Sequence, residues 1–483
     1  MRHPMANRYT RRDAIRLSIG GLAGAALSGS IAYAKEETPV SQPKDARPEA
    51  TVKTRVFWTW DHSTEWALNR LGAQTIGASN HYGRTTESFV EDYTKLLEWC
   101  GRHSVDAVVV WGLLRDAHGG VESVKKLCDV ANKHNVKLLC GVGLNAYGGV
   151  YYEGNSPYSL EKHLTDHPDL YGVNADGNKM NYAFGLLGPK VSHHACPSRK
   201  ENQEFAVESL RWLFKTLPGL GGVQMESGDT GVCQCETCKK RRQRPCVGIS
   251  WEDMALMYPM AVEAIRSVKP DAFTICETYS HPERYDDPSK GLGFGEGRPA
   301  WSDECLAEFP EGVFVQYAGD AFFKPVSSRK WTDAGMVTDK RRRSIMRAHF
   351  GTYWSNMRGE LSVDWIADMV QQSAAHGIDG ISIFGEVSPF HTGAELNYLA
   401  LENYGSAGNP KADLDVFLKD VAGPLLGGEQ DARDYLSYAR LRTEPAGIPD
   451  ALKDIYKRCA KLPPDAARRW AWLANFLASF AYV

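Results

Sequence analysis

Between residues 224 and 246 the chain reads QMESGDTGVCQCETCKKRRQRPC, which places Glu226, Asp229 and four cysteines, Cys233, Cys235, Cys238 and Cys246, beside a run of cations. The carboxylates are groups that move protons. The spacing C-x-C-x2-C-x7-C supplies four thiolates, the number a closed tetrahedral zinc site uses, and a closed site is structural because it keeps no position open for substrate. Two disulfides are the competing use of these sulfurs, and Cys196 can replace Cys246 as a ligand. What the stretch does depends on the elements that carry it.

The chain has 483 residues, 43% of them hydrophobic and 24% charged, which is ordinary globular usage with enough apolar material for a large core. Lys plus Arg (56) nearly balances Asp plus Glu (59), so there is no basic surplus of the kind nucleic-acid or anionic-membrane partners favour. The N-terminus, RYTRRDAIRLSIGGLAGAALSGSIAYAKEE, runs from paired Arg11 and Arg12 through a weakly apolar Gly/Ala-rich segment to Ala32-Tyr33-Ala34. That order predicts a twin-arginine export signal over residues 1–34, a mature chain starting near Lys35, and a periplasmic or secreted product without a membrane anchor. Residues 35–53 are polar and proline-bearing and read as a linker.

From residue 54 the chain alternates short β-branched or aromatic runs with segments of helical period, the pattern of parallel βα units. Eight strands are expected: 55–62, 105–112, 136–143, 221–228, 273–280, 313–320, 348–355 and 380–388. Helices are expected at Ser88–His103, Val121–His134, Asn202–Leu217, Trp251–Val268, Ser302–Phe309, Lys340–Met346 and Val363–His376. This is an α/β fold, a (β/α)8 TIM barrel over 54–405 with long βα loops and a helical C-terminal extension over 406–483. A doubly wound open sheet is the competitor, but no strand is followed by a glycine-rich phosphate loop, so no nucleotide or other organic cofactor is expected. Residues 145–200, rich in Tyr, Asn, His and Gly, read as a functional lid.

Barrel enzymes place their chemistry at the carboxyl ends of strands. Those ends carry Trp58, Trp60, Asp61 and His62; Trp111; Asn145 and Tyr147; Glu226 and Asp229; Glu277 and Tyr279; Tyr317 and Asp320; Tyr353 and Trp354; Glu386 and His391. Acids from separate strands among indole and phenol rings are the inventory of a sugar-cleaving site: one carboxylic acid protonates the leaving oxygen and one carboxylate activates water or attacks the anomeric carbon. Aromatic faces complement the apolar faces of a pyranose, while the polar side chains bind its hydroxyls. Trp58 and Trp60 share one strand face, so both point inward or both outward. Glu226 is the expected general acid, Glu277 or Glu386 its partner, and Asp229 a further catalytic-end acid. Arg84, Arg115, Arg358 or His391 would suit an acidic or sulfated sugar. Two other functions use the same residues: a metal-dependent sugar isomerase or deacetylase with Glu226, Glu277, His281 and Asp320 as ligands, and a carbohydrate-binding barrel without catalysis.

The glutamate followed by CQCETC, together with HPDLYGVNADGNK, HHACPS and FGEVSPFHTGAELNYLALENYG, resembles (β/α)8 glycoside hydrolases of polysaccharide-degrading bacteria. Relatives with a Cys-x-Cys-x-x-Cys loop look like endo-β-N-acetylglucosaminidases or α-glucuronidase-like enzymes. The resemblance spans roughly residues 55 to 405 and implies a carbohydrate substrate; it transfers no acid and nucleophile pair, and no His-x-Gly-Gly-Asp-Glu run of the hexosaminidase type occurs.

Overall fold

The computed structural model describes residues 52–61, 64, 66, 85–183, 191–226, 231–242, 250–279, 307–318, 343–348, 360–375, 377–389 and 392–480. The chain forms two compact units, one ending at Ala412 and the other beginning at Asp413. The first is built on eight parallel strands: β1 Thr54–Trp60, β2 Ala107–Trp111, β3 Lys137–Gly143, β4 Gly222–Glu226, β5 Phe273–Tyr279, β6 Phe314–Ala318, β7 Arg343–Arg347 and β8 Gly380–Phe384. They pair in chain order and close through β8 onto β1, the (β/α)8 barrel the alternating pattern predicts. Followed from partner to partner round the ring, the register returns to β1 eight residues from its start, so the shear equals the strand number, as in other barrels of this class.

Strand alternation and this register sort the interior into levels of four side chains drawn from alternate strands. Val56, Leu139, Ile275 and Ile345 form an apolar level. Above it, toward the carboxyl ends, lie Val109, Gln224, Gln316 and Ser382, all without exposed surface. Next come Trp58, Gly141, Glu277 and Arg347, and then Trp111 and Glu226. The core therefore turns from aliphatic to polar and indole-rich along the barrel axis. Gly141 is needed for this, since a Cβ there would run into the ring of Trp111.

Helices pack outside the cylinder on apolar stripes. In α1, Thr86–Arg102, the buried side is Phe89, Tyr93, Leu96, Leu97 and Cys100, and Thr85 and Ser88 cap its start reciprocally. Leu210, Leu213 and Phe214 are the buried side of Lys200–Thr216, and Trp251–Arg266 begins at Ser250, whose side chain accepts from the Asp253 amide. The β3–β4 connection has structure of its own: helix Leu160–Asp166 and an antiparallel ribbon of Asn181–Ala183 with Val191–His193.

Seven strands lie within a few residues of their expected positions; the seventh does not. Arg343–Arg347 is a strand where the sequence reading places the end of a helix, Lys340–Met346, and the expected strand 348–355 falls largely outside the described residues. The run RRRSIMR lacks the β-branched and aromatic content that marks its neighbours, and its inward side carries Ile345 and Arg347, an arginine in the place of a core residue.

In the second unit, Glu429–Ala439, Ile448–Cys459 and Pro464–Phe480 pack round Trp470, which is fully buried, lies edge-on to Tyr435 and donates to the Leu426 carbonyl (2.9 Å). Arg458 ties the helices together by ion pairs to Asp431 (2.5 Å), Asp434 and Asp454 (2.5 Å). No helix among the described residues is long and apolar enough to cross a membrane.

Candidate active site

Glu226 ends β4 beside Gly143 of β3 and is 4% exposed. The β4–β5 register matches Met225 with Cys276, so the next residues on the two strands, Glu226 and Glu277, are neighbours that both face inward. Glu277 is fully buried. Its Oε2 accepts from the Gln224 side-chain amide, and its Oε1 lies 2.6 Å from Nη1 of Arg347, itself without exposed surface. The Arg347 guanidinium lies 4.9 Å above the Trp58 ring, within reach of a cation–π attraction. A charge pair two strands apart, on an indole, thus forms the level below Glu226. Glu386, two residues past the end of β8, is 1% exposed; the backbone on either side of it accepts from Trp66 Nε1 at Gly385 (2.7 Å) and from the Tyr398 hydroxyl at Val387.

Trp58 and Trp60 both point inward. Trp58 and Trp111 are packed within the cylinder, so they are wall and floor and not an open platform. Trp60, last in β1, is held between Trp111 (ring centroids 5.6 Å), Tyr147 (6.0 Å) and Tyr152 (5.9 Å). Tyr147 and Tyr152 come from the start of the β3–β4 connection, whose lid-like aromatics therefore close over the β1–β2 side of the mouth. Tyr147 sits at φ +53°, Gly148 at +70° and Gly149 at +71°, a left-handed run in which a bulky side chain is uncommon. Asn145, just before it, is 2% exposed and its backbone carbonyl accepts from Ala195.

Asp61 is placed otherwise than expected. Its carboxylate has no exposed surface and accepts from Arg115 Nε (2.7 Å) and from His118 Nε2 (2.6 Å). Gly112 at φ +81° leaves the space it fills. Arg115 also pairs with Glu153 and lies 4.6 Å over the Tyr152 ring. Asp61 and Arg115 thereby brace the β1, β2 and β3 loops against one another; a guanidinium so engaged does not reach for an acidic sugar. The expected residues His62, Asp229, Asp320, Tyr353, Trp354, His391 and Cys246 lie outside the described residues, as do the side chains of Tyr279 and Tyr317.

The sulfur cluster sits beside this site. Cys233, Cys235 and Cys238 are joined by Cys196 from the β3–β4 connection, and the four sulfurs lie within 4.8 Å of one another. Cys196 Sγ is 3.7 Å from Cys235 Sγ and 3.6 Å from Cys238 Sγ. A tetrahedron with metal–sulfur bonds of about 2.3 Å has edges of about 3.8 Å, so the set fits a four-thiolate metal centre. Disulfide sulfurs sit at about 2.05 Å.

Arg347, Gln224, His118 and Tyr152 escaped the sequence reading. The alternation of β4 makes Gln224 inward once Glu226 is, which is a usable signal; Arg347 offers none, because the run RRRSIMR carries no strand pattern.

No protein-family model and no curated protein matches the chain. Similar solved structures include an α-amylase from Lactobacillus plantarum (TM-score 0.39, 13% identity, covering 68% of this chain and 70% of that one). An O-GlcNAc hydrolase from Thermobaculum terrenum gives 0.43, 12%, 81% and 73% on the same measures. A GH20 exo-β-N-acetylglucosaminidase from Vibrio harveyi gives 0.39, 8%, 74% and 54%. These neighbours are glycoside hydrolases; at such scores and identities the likeness carries nothing about reaction or substrate.

Proposed function

We propose that the chain is an exported glycoside hydrolase that cleaves a poly- or oligosaccharide with two carboxylates, Glu226 as general acid and Glu277 as its charged partner. The observation that supports this is the inward pairing of the two acids on adjacent strands, with Glu277 held against the Arg347 guanidinium. A buried carboxylate beside Arg347 is favoured as the anion, the form a base or nucleophile needs, and Glu226, at the carboxyl end of β4, takes the role of proton donor. Side chains on adjacent strands start roughly 5 Å apart. Retaining glycosidases separate their carboxyl groups by about 5 to 5.5 Å and inverting ones by about 6.5 to 9.5 Å, so the separation the two carboxyl groups reach from that start sets whether configuration is retained. Glu386 is the competing partner, favoured by the full engagement of both Glu277 oxygens. The same engagement speaks against Glu277 as a ligand in a metal-dependent isomerase or deacetylase.

The test is release of reducing ends from a panel of polysaccharides. Glu226→Gln should lower the rate about 10²–10⁴-fold with the fold unchanged, and a wild-type rate in that variant removes Glu226 from the reaction. Azide added to alanine variants separates the partners: it should restore turnover to Glu277→Ala, and rescue of Glu386→Ala alone gives the role to Glu386. Zinc is the proposed occupant of the sulfur cluster, beside the reacting groups and not among them. Export by the twin-arginine route is read from residues 1–34 alone.

A further inference from the structure

Two arginines follow the sulfurs, and their surroundings bear on what the sulfurs are. Arg242 is 3% exposed; it donates to the Cys233 carbonyl and pairs with Asp253 Oδ2 at 3.2 Å. Arg241 pairs with the other oxygen of the same Asp253, donates to Ser198 Oγ and points Nη2 at Cys238 Sγ (3.8 Å). Ser198 Oγ lies 3.0 Å from Cys238 Sγ, and the Val173 amide donates to Cys233 Sγ at 3.4 Å. One carboxylate therefore serves two guanidiniums. Among the described residues, disulfides or neutral thiols would leave this group with one more positive than negative charge, next to an Arg242 that is buried away from water. Four thiolates round a divalent ion carry two negative charges, which the surplus positive charge of the two arginines offsets in part.

We infer that Cys196, Cys233, Cys235 and Cys238 form one anionic metal–thiolate cage, that Arg241 and Arg242 are its charge partners, and that the cage clamps the β3–β4 connection onto the turn that follows β4. Val173, Cys196 and Ser198 belong to the connection that also delivers Tyr147 and Tyr152 over Trp60; Cys233 follows Glu226 by seven residues. The clamp thus joins the aromatic lid to the segment bearing the general acid. The inference rests on the zinc assignment and is independent of the hydrolase reading, because its tests do not read turnover.

Metal content of the purified full-length chain should be one zinc per molecule, and Cys196→Ser should bind zinc at least 10²-fold more weakly in competition with a chromogenic chelator. Arg242→Met and Arg241→Met should each weaken zinc by about 10–100-fold, the usual effect of removing a group that supports a ligand. Stripping the metal should open residues 145–200 to limited proteolysis while the barrel strands stay protected. Circular dichroism separates a folded variant from a misfolded one, and Ser198→Ala provides a milder probe of the same contact. A metal-free chain whose mass shows four hydrogens lost and no titratable thiols in the cluster overturns the inference. So does full zinc affinity in Cys196→Ser, or in both arginine variants.

Discussion

At the scale of single residues, the pair Glu277 and Arg347 is the most consequential addition to what the sequence displays. Arg347→Met removes the charge partner of the buried Glu277 carboxylate and should cost about 3–5 kcal/mol in denaturant unfolding, the range for breaking a buried pair. Combining it with Glu277→Gln should recover part of that loss; a double variant no more stable than Arg347→Met would mean the two side chains are not coupled. The remaining thiols behave differently from the cage. Burial pushes Cys128 and Cys140 up to about 12 and Cys100 well above its ordinary value, so none is a thiolate near neutral pH. Iodoacetamide at pH 8 should leave all three unmodified in the native chain and alkylate them after denaturation, by peptide mass mapping. These cysteines were legible as small buried hydrophobes because they fall within regular helix and strand patterns. Glu226, Glu277 and the Trp58–Trp60 face were legible too, since the two-residue alternation fixes which side chains share a direction. Arg347 was not, because an arginine on an inward strand face is indistinguishable in sequence from one on a helix surface.

At the scale of elements, β4 and its two flanking connections decide the site. The strand supplies Gln224 and Glu226 at successive inward positions, and the next strand supplies Glu277 at the matching register. The turn at Tyr147–Gly149 needs glycine at 148, because Gly148 takes a left-handed backbone and a Cβ there would collide with the Tyr152 carbonyl. Gly148→Ala should therefore displace Tyr152 from Trp60, lower the melting temperature and raise KM more than it lowers kcat on whichever saccharide the panel identifies. An unchanged melting temperature would show that the turn tolerates a side chain. The barrel as a whole could be read from its alternating strands, yet the seventh could not, since Arg343–Arg347 owes its strand state to partners on both sides, β6 and β8, and little to its own residues. The sulfur set shows the same limit. Spacing points to Cys233, Cys235, Cys238 and Cys246 with Cys196 as an alternative fourth ligand, whereas the entry of Cys196 into the set depends on where a ribbon-bearing connection brings the chain back.

At the scale of the molecule, the two units answer to different forces. The barrel is held by its layered interior, while the C-terminal unit relies on Trp470 and on Arg458 among three aspartates. The Arg458 hydrogen bond holds the Asp454 carboxyl below its usual range. A carboxylate depressed in the folded state stabilises above its unfolded value, near 4, and that contribution fades as pH falls through the lower folded value. The stability difference between wild type and Arg458→Met should then be constant above about pH 5 and shrink below about pH 4; a difference that grows in acid would contradict the assignment. For the N-terminus, sequencing of the protein recovered from the periplasm or medium should begin near Lys35, and a start at Met1 would count against cleavage. Trp58, stacked under the Arg347 guanidinium one level beneath Glu226, has a further use. Indole emission responds to nearby charge, so a sugar that disturbs the buried pair should change the protein's own fluorescence, and binding can be titrated optically before any substrate has been found to turn over.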